Sequence, residues 1–462
     1  MPELPEVSVI IEGLKPILID KKIEKVSVYR EKNVISGAKE FKEKVSGSTV
    51  KKITRKGKYL IFDLNNGHSF ECHLRMEGKF YYRDKDEPND KHDLLDFYFE
   101  DGSRLSYNDV RKFGGFYLAK SENLVSETGL KDLGKEPFDL TGKEFYELIK
   151  KDNRPIKEIL LDQKKIAGIG NIYDSEILFA THIHPLTKGK ELNLKQCDAI
   201  IKESVRILNE AIEFGGSTIR SFHPGKGIDG MMQNKLLVYG KLGEKCPTCG
   251  FPLRRIFIGN RSTFYCPKCQ PSFKKQFIVG VVGPIASGKS TVSKYLVSKG
   301  YLKLDADAMV WEAYKLPEIQ EWLNKNIVDG ACKNGEVDRK LISKTITENP
   351  KKKEILEKYI HAYVIDEMNK EIDSNPGKKI LLDVPLLIGG PLEDKCDLII
   401  YIEADEEIRR QRIIERGRDA NLALKLNASY PKKKAKAVAG LILSGNGSTD
   451  ELISQLKACK YL

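Results

Sequence analysis

Four cysteines constrain this chain more than any other feature. They fall as Cys246-x2-Cys249-x16-Cys266-x2-Cys269, two hooks whose separation suits four thiolates converging on one tetrahedral zinc ion. Pro247 and Pro267 lie inside the hooks and Gly250 follows the first, residues that favour tight knuckles. Two disulfides are the competing arrangement. The N-terminus MPELPEVSVI, however, places acids and prolines where a secretory signal needs basic and then apolar residues. In the reducing cytoplasm expected for such a chain, disulfides are disfavoured. The zinc is read as structural, holding a hairpin too small to fold alone. Cys72, Cys197, Cys332, Cys396 and Cys459 lack this spacing and are expected as buried small hydrophobes.

Positive charge gathers in the same stretch. The 462 residues carry a formal net charge of +12, and residues 231–275 hold nine basic residues against one acidic, two-thirds of the excess. Such a segment is either a solvated face or the footprint of a phosphate-backbone binder. Between the hooks, LRRIFIGNRSTFY reads as two short strands with a turn at Gly259-Asn260. Arg261 follows the turn, where a guanidinium can project toward a phosphate or a base.

Hydrophobic residues make up 40% and charged residues 31%, an ordinary globular composition, and the length suggests about three domains or more. No apolar run approaches the ~18–20 residues that span a bilayer. Short alternating segments (KVSVYR, YLIFDL, LDFYF, FYLA) predict a β-sandwich over 1–125. Three- and four-residue apolar spacing, as in QCDAIIKESVRILNEAIEF, predicts helices over 126–230. The zinc hairpin occupies 231–275, and an α/β domain with a parallel sheet is expected over 276–462.

Pro2 offers a second chemical signal. Removal of the initiator Met would leave a secondary amine at the terminus, followed at once by Glu3. An α-amino group has a pKa near ~7.7–8.0, so roughly a tenth is free base at neutral pH. Attack of that amine on a sugar C1′ gives an iminium ion that permits β-elimination, and Glu3 could move the protons. Alone, a terminal proline means little.

It is accompanied. MPELPEV, GKYL (57–60), HLRMEGKF (73–80), DVRKFGG (109–115), IAGIGNIYDSEILF (166–179) and the four-cysteine finger occur in one order over about residues 1–273. That order resembles formamidopyrimidine-DNA glycosylase, a base-excision enzyme for oxidised purines. The related oxidised-pyrimidine branch typically has Gly where this chain has Leu4. The resemblance implies a helix-two-turn-helix domain, damaged double-stranded DNA as partner, and release of 8-oxoguanine and formamidopyrimidines with β,δ-elimination. It implies Pro2 as Schiff-base nucleophile, Glu3 as acid, and Lys58 at the lesion phosphates in support of catalysis. Asn171 and Arg261 would clamp the same backbone, and His73, Tyr239 and Lys157 would add phosphate or sugar contacts. Met76, Arg111 and Phe113 would fill the hole left by the extruded nucleotide. The glycine-rich run GKGIDGMMQ (225–233) would cover the flipped base.

At residue 276 the pattern changes. An apolar β run leads into Gly283, Pro284, Ile285, Ala286, Ser287, Gly288, Lys289, Ser290 and Thr291, then a helix. This is a Walker A loop in its strand-loop-helix context, expected to bind ATP with Mg2+, Lys289 reaching the β/γ oxygens and Ser290 the metal. Downstream LDADAMV (304–310), VDRKLI (337–342), LLDVPLLIGG (381–390), IRRQRIIERGRD (408–419) and SGNGS (444–448) resemble dephospho-CoA kinase, which phosphorylates the 3′-hydroxyl of dephospho-CoA. The resemblance implies Asp307 as base, with Asp305 the close alternative. Arg412 and Arg416 would sit over the transferring phosphoryl group. The sequence departs from that family at Pro284, which removes a backbone N–H from the cradle, at Ala362 and at Ile388-Gly389. Three readings therefore stand: a bifunctional, monomeric, cytoplasmic enzyme; an active DNA glycosylase with an inactive kinase-like domain; or a DNA-binding protein that clamps damage without cutting it, against which intact Pro2, Glu3 and Lys58 count.

Overall fold

Buried apolar residues on the first strands build two facing sheets. In the computed structural model, which describes residues 2–216, 222–223, 232–272, 276–333, 335–459 and 462, nine strands precede the finger. They are β1 (Ile23–Val28), β2 (Val50–Lys56), β3 (Tyr59–Leu64), β4 (His68–His73), β5 (Lys79–Arg83), β6 (Asp93–Phe99), β7 (Arg104–Asn108), β8 (Gly115–Lys120) and β9 (Phe222–His223). One sheet runs β2-β3-β4-β8 and the other β1-β6-β7-β5-β9. Leu60, Phe62 and Leu64 on β3 point inward at every second position. They join Phe41, Phe70, Phe80, Phe97 and Phe116 in one core, with the Phe62 and Phe70 rings stacked 4.6 Å apart.

Two helices break the all-β expectation for 1–125. Ala38–Val45 buries Phe41. Leu4–Leu18 forms although it is rich in β-branched residues and contains Pro16: Pro5 sits in its first turn, where no N–H is needed, and Glu3 and Glu6 make a capping box. Val7, Ile10, Ile11, Leu14 and Leu18 face the sandwich core, whereas Leu4 belongs to the neighbouring helical core. The chain start is therefore held where the two cores meet.

That helical core gathers Gly142–Ile149, Ile156–Leu161, Asn171–Ala180 and the twenty-residue Leu194–Glu213 around Phe145, Ile177 and Leu208. Strands β10 (Arg254–Ile258) and β11 (Arg261–Tyr265) form the finger hairpin. Its turn has φ of +53° at Gly259 and +59° at Asn260, the geometry that matches strand twist in a two-residue hairpin.

The last region contains β12 (Phe277–Val282), β13 (Leu302–Asp305), β14 (Cys332–Lys333), β15 (Glu336–Val337), β16 (Lys379–Asp383), β17 (Leu398–Glu403) and β18 (Leu441–Ser444). Five of these form a parallel sheet in the order β13-β16-β12-β17-β18, with helices between strands, as a P-loop fold requires. The chain divides into two compact units, Met1–Tyr239 with Ile258–Thr263, and Gly240–Phe257 with Phe264–Leu462. The division thus falls inside the finger hairpin. Among the described residues, no helix is long and apolar enough to cross a membrane.

Candidate functional sites

The N-terminal site is built on a helix end. The carboxylate of Glu3 accepts the backbone N–H of Ile172 at 2.9 Å and of Tyr173 at 3.4 Å, at the start of Asn171–Ala180. Those N–H groups have no partner within the helix, and its dipole favours an anion there. Gly170 makes the approach possible, since a Cβ there would lie 2.2 Å from Glu3 Cδ. Pro2 is buried beside Glu3.

Lys58 closes the cluster from the turn between β2 and β3. Its Nζ donates to Ile169 O at 2.8 Å, and only 6% of the residue is exposed. Gln163 braces the same loop: its Nε2 donates to Ile169 O and its Oε1 accepts Gly168 N–H, both at 2.9 Å. Burial lowers the Lys58 ammonium pKa, with Arg261 adding to the effect, while Glu3 and Glu6 oppose it. Burial raises the Glu3 carboxyl, opposed by Lys58 and the two helix N–H groups. A buried carboxyl that holds its proton longer is fitted to act as an acid.

Other predicted residues gather nearby. Asn171 Nδ2 donates to Ser262 O at 2.9 Å, next to Arg261, which is exposed just past the hairpin turn. His73 accepts Arg75 N–H at Nδ1 and packs edge-on against Tyr59. Burial, with help from the Arg75 and Lys58 charges, pushes its pKa down to about 3, so it presents a neutral ring. Met76 and Phe113 are 44% and 57% exposed, unlike core residues. Arg111 joins them, its guanidinium 5.0 Å from the Phe113 ring and 3.0 Å from Met76 Sδ. Residues 225–231 of the glycine-rich run lie outside the described residues.

Lys157 is placed differently from the expectation of a DNA contact. It is wholly buried, with Nζ 3.2 Å from Asp174 and 3.2 Å from Ser175 Oγ. Its ammonium sits behind the first turn of Asn171–Ala180, facing the carbonyl of Asn171 at 3.4 Å. It supports the helix that carries the site. Tyr239 is half-buried, and Glu176 accepts its N–H and those of Leu237 and Val238. Gln163, Asp174 and Glu176 escaped the sequence reading because no spacing marks them; only folding brings them to the site.

The four finger cysteines converge. Their Sγ atoms all lie within 4.8 Å of one another, with Cys249 and Cys266 at 3.5 Å, too long for a disulfide. The set fits a four-thiolate zinc ion. Of the other cysteines, Cys72, Cys197 and Cys396 are buried as expected, whereas Cys332 and Cys459 are only half-buried at the edges of their elements.

In the second unit Lys289 turns back on its own loop, donating to Gly283 O at 2.8 Å and Pro284 O at 2.9 Å. Burial lowers its ammonium pKa, and Arg409 and Arg416 add to this while Asp383 opposes it. The N–H of Ile285 is taken by Asn427 Oδ1 at 2.9 Å, so it adds to the loss at Pro284 in thinning the backbone cradle. Ala286 sits at φ +60°, a left-handed conformation that costs a non-glycine residue roughly 1–2 kcal/mol. Arg412 donates to Ala286 O and to Gly447 O, tying the loop to SGNGS, and Arg416 is exposed just beyond its helix. Ser290 and Thr291 open the helix Lys289–Ser298.

Geometry separates the two candidate bases. Asp305 caps the helix Ala306–Ala313 through Ala308 N–H and pairs with Lys303 at 2.6 Å. Burial pushes its carboxyl up, but the bonds from Lys303 and Ala308 outweigh that and leave it below the usual range. Lys303 also holds Asp383 at 2.8 Å. Asp307 instead lines a cavity of about 460 Å³ with His361 and Leu387, and burial followed by the charges of Asp305 and Asp383 raises it. Neither Lys303 nor Asp383 was singled out from the sequence.

Comparison with known proteins divides the chain after the finger. Residues 1–116 match the formamidopyrimidine-DNA glycosylase N-terminal domain, 133–223 its H2TH domain, and 243–271 the zinc finger found in FPG and IleRS. Residues 277–451 match dephospho-CoA kinase. A formamidopyrimidine-DNA glycosylase of Bacillus cereus is 45% identical over 275 residues, which is 59% of this chain and 99% of the relative. One of Mycoplasma mobile is 41% identical over 271 residues, 58% of this chain and 99% of the relative. A Lactococcus lactis FPG variant solved with Fapy-dG-containing DNA aligns at a TM-score of 0.56 and 38% identity, covering 59% of this chain and all of that one. The Lactococcus lactis enzyme solved with abasic-site DNA aligns equally well at 37% identity. The chain belongs to the formamidopyrimidine-DNA glycosylase family and carries, after the zinc finger, a dephospho-CoA kinase family domain.

Proposed function

We propose that the first unit excises oxidised purines from double-stranded DNA and cleaves the resulting site. The buried Glu3 carboxyl at a helix N-terminus, beside Pro2 and Lys58, carries this reading. After loss of Met1, the Pro2 amine attacks C1′ of an extruded nucleotide, the C1′–N9 bond breaks, and the base leaves with a proton that Glu3 can supply. The amine gives up its own proton, the C1′–O4′ bond opens with O4′ taking up a proton, and a C1′=N iminium remains. That cation acidifies the C2′ proton, which the Glu3 carboxylate can take as the C3′–O bond breaks and the 3′-phosphate leaves; loss of the C4′ proton then breaks the C5′–O bond and expels the 5′-phosphate. Met76, Phe113 and Arg111 replace the lost stacking and pairing, which offsets a flipping cost of roughly a few kcal/mol. Arg261 and Asn171 hold the backbone, and the four cysteines would hold a structural zinc ion that stabilises the root of the finger. Borohydride trapping of a covalent complex with lesion-containing duplex, lost in Pro2→Gly, tests the reading; no trapping by the wild type would overturn it.

The second unit transfers the γ-phosphoryl group of ATP to the 3′-hydroxyl of dephospho-CoA. Asp307 takes the hydroxyl proton, Lys289 and Arg412 neutralise the moving charge, and Ser290 would ligand Mg2+. The open Asp307 carboxylate, set against an occupied Asp305, supports this assignment. Transfer of labelled phosphate to dephospho-CoA, absent in Lys289→Ala, is the test. ATP bound without transfer would instead favour an active glycosylase carrying a nucleotide-binding remnant. The protein acts as a monomer in the cytoplasm.

A further inference from the structure

The root of the finger is part of the second unit, and one arginine is central to the join. Arg254, five residues after Cys249, is 2% exposed. Its Nη1 donates to Val438 O at 2.8 Å and its Nη2 to Glu393 O at 3.2 Å. Val438 ends the helix Lys432–Val438, so the guanidinium meets the negative end of that helix dipole. Around it the Phe251 ring packs edge-on against Phe277 at 6.0 Å, and Phe257 N–H reaches Asp394 Oδ2 at 3.4 Å. Gly440 is required by close approach: a Cβ there would lie 2.8 Å from Leu398 Cδ1 and 3.1 Å from Pro252 Cβ.

Both segments that Arg254 ties form walls of cavities. Lys432, Lys433 and Lys436 line one of about 400 Å³ beside Pro284 and Asn446. Pro391 and Leu392, just before Glu393, line the cavity of about 460 Å³ that holds Asp307. A single side chain rooted between zinc ligands therefore braces the surroundings of both the phosphate loop and the candidate base.

We propose that Arg254 is a positioning residue for the kinase reaction, and that through it zinc occupancy of the finger is coupled to nucleotide binding at the phosphate loop. Zinc crosslinks the chain on either side of β10 and β11 and so fixes where the guanidinium emerges. Without the crosslink, Val438 and Glu393 lose their donor and both walls loosen. Coupling of this kind is reciprocal: the factor by which zinc tightens nucleotide binding is the factor by which nucleotide tightens zinc binding. The inference rests on the nucleotide-binding reading of the loop.

The test uses the full chain. Mg-ATP affinity is measured in zinc-loaded and chelator-stripped protein, zinc affinity is measured by chelator competition with and without ATP, and amide exchange is followed over 388–396 and 432–444. Expected are about 10-fold weaker ATP binding on zinc removal, within the ~5–150-fold range of such couplings, and an equal shift in zinc affinity with ATP. Arg254→Ala, retaining one zinc, should weaken ATP binding similarly, speed exchange in both segments and abolish the ATP effect on zinc, with partial rescue by Arg254→Lys. Zinc-loaded wild type that binds no ATP would overturn both the nucleotide reading and the coupling. ATP binding indifferent to zinc and to Arg254→Ala would overturn the coupling alone.

Discussion

The two candidate sites differ in how much of each is assembled without its substrate. In the first, Glu3 and Lys58 are buried, Glu3 bonded to the start of the helix Asn171–Ala180 and Lys58 to Ile169 just before it. In the second, Lys289 rests on carbonyls of its own loop, Asp307 faces an open cavity and Arg416 stands exposed. The difference follows the chemistry. A covalent nucleophile and its acid need fixed geometry and perturbed pKa values, which burial supplies. Phosphoryl transfer depends on positioning charge around a ligand that itself brings several negative charges and a metal, so its cations can wait unpaired.

The sharpest way to break the comparison is at the nucleophile. Pro2→Gly should lower base release and trapping by at least ~10³-fold while phosphate transfer is unchanged. Lys289→Ala should do the reverse, costing phosphate transfer ~10²–10³-fold and leaving excision intact, as separate radiolabel and duplex-nicking assays would register. If either substitution disabled both activities, the two sites could not be treated as independent.

Preassembly itself is tested at Gly170. Gly170→Ala should displace Glu3 and slow excision by roughly 10²-fold, with duplex affinity much less affected, because a misplacement of about 1 Å is enough. An unimpaired variant would show that the helix-end contact is dispensable.

The pH profiles should run in opposite directions. With the Glu3 carboxyl raised and proposed as the acid, excision should fall as pH rises through its pKa, and Glu3→Gln should lose the limb. With Asp307 as the proposed base, transfer should fall as pH drops. Lys303 lowers Asp307, and Lys303→Met should therefore move that acidic limb upward. A profile unmoved by the substitution would remove Asp307 from the base role.

The smallest effect concerns stability. Asp397 is buried in the second unit and accepts Ile278 N–H at 2.8 Å. Burial raises it to about 7, opposed by that bond and Arg254. Its folded pKa lies above the unfolded value of roughly 3.9, so the folded form binds the extra proton and this contribution is whole below about pH 4 and lost as pH rises through 7. Asp397→Asn should flatten the decline in melting temperature between pH 5 and 8, where each ~1 kcal/mol amounts to about 2–4 °C in a domain of this size.

Residue order by itself determined the parts that depend on short spacing. The cysteine hooks, the Gly259-Asn260 turn, the phosphate loop and the alternation on β3 all act within a few residues, so their chemistry is written in sequence. The helix Leu4–Leu18 was hidden because β-branched residues and Pro16 argue locally against it, and only burial against two cores decides for it. Likewise the resemblance offers Lys157 as a phosphate or sugar contact, and folding pairs it with Asp174 in the interior. The resemblance names Asp307 with Asp305 as the close alternative; in the fold a helix cap and the ammonium of Lys303 engage Asp305. Arg254 reads as one more charge in a basic stretch, yet its guanidinium meets carbonyls well over a hundred residues away. Desolvation and long-range hydrogen bonds depend on what surrounds a group in three dimensions, and that is why tertiary structure alone decided these placements.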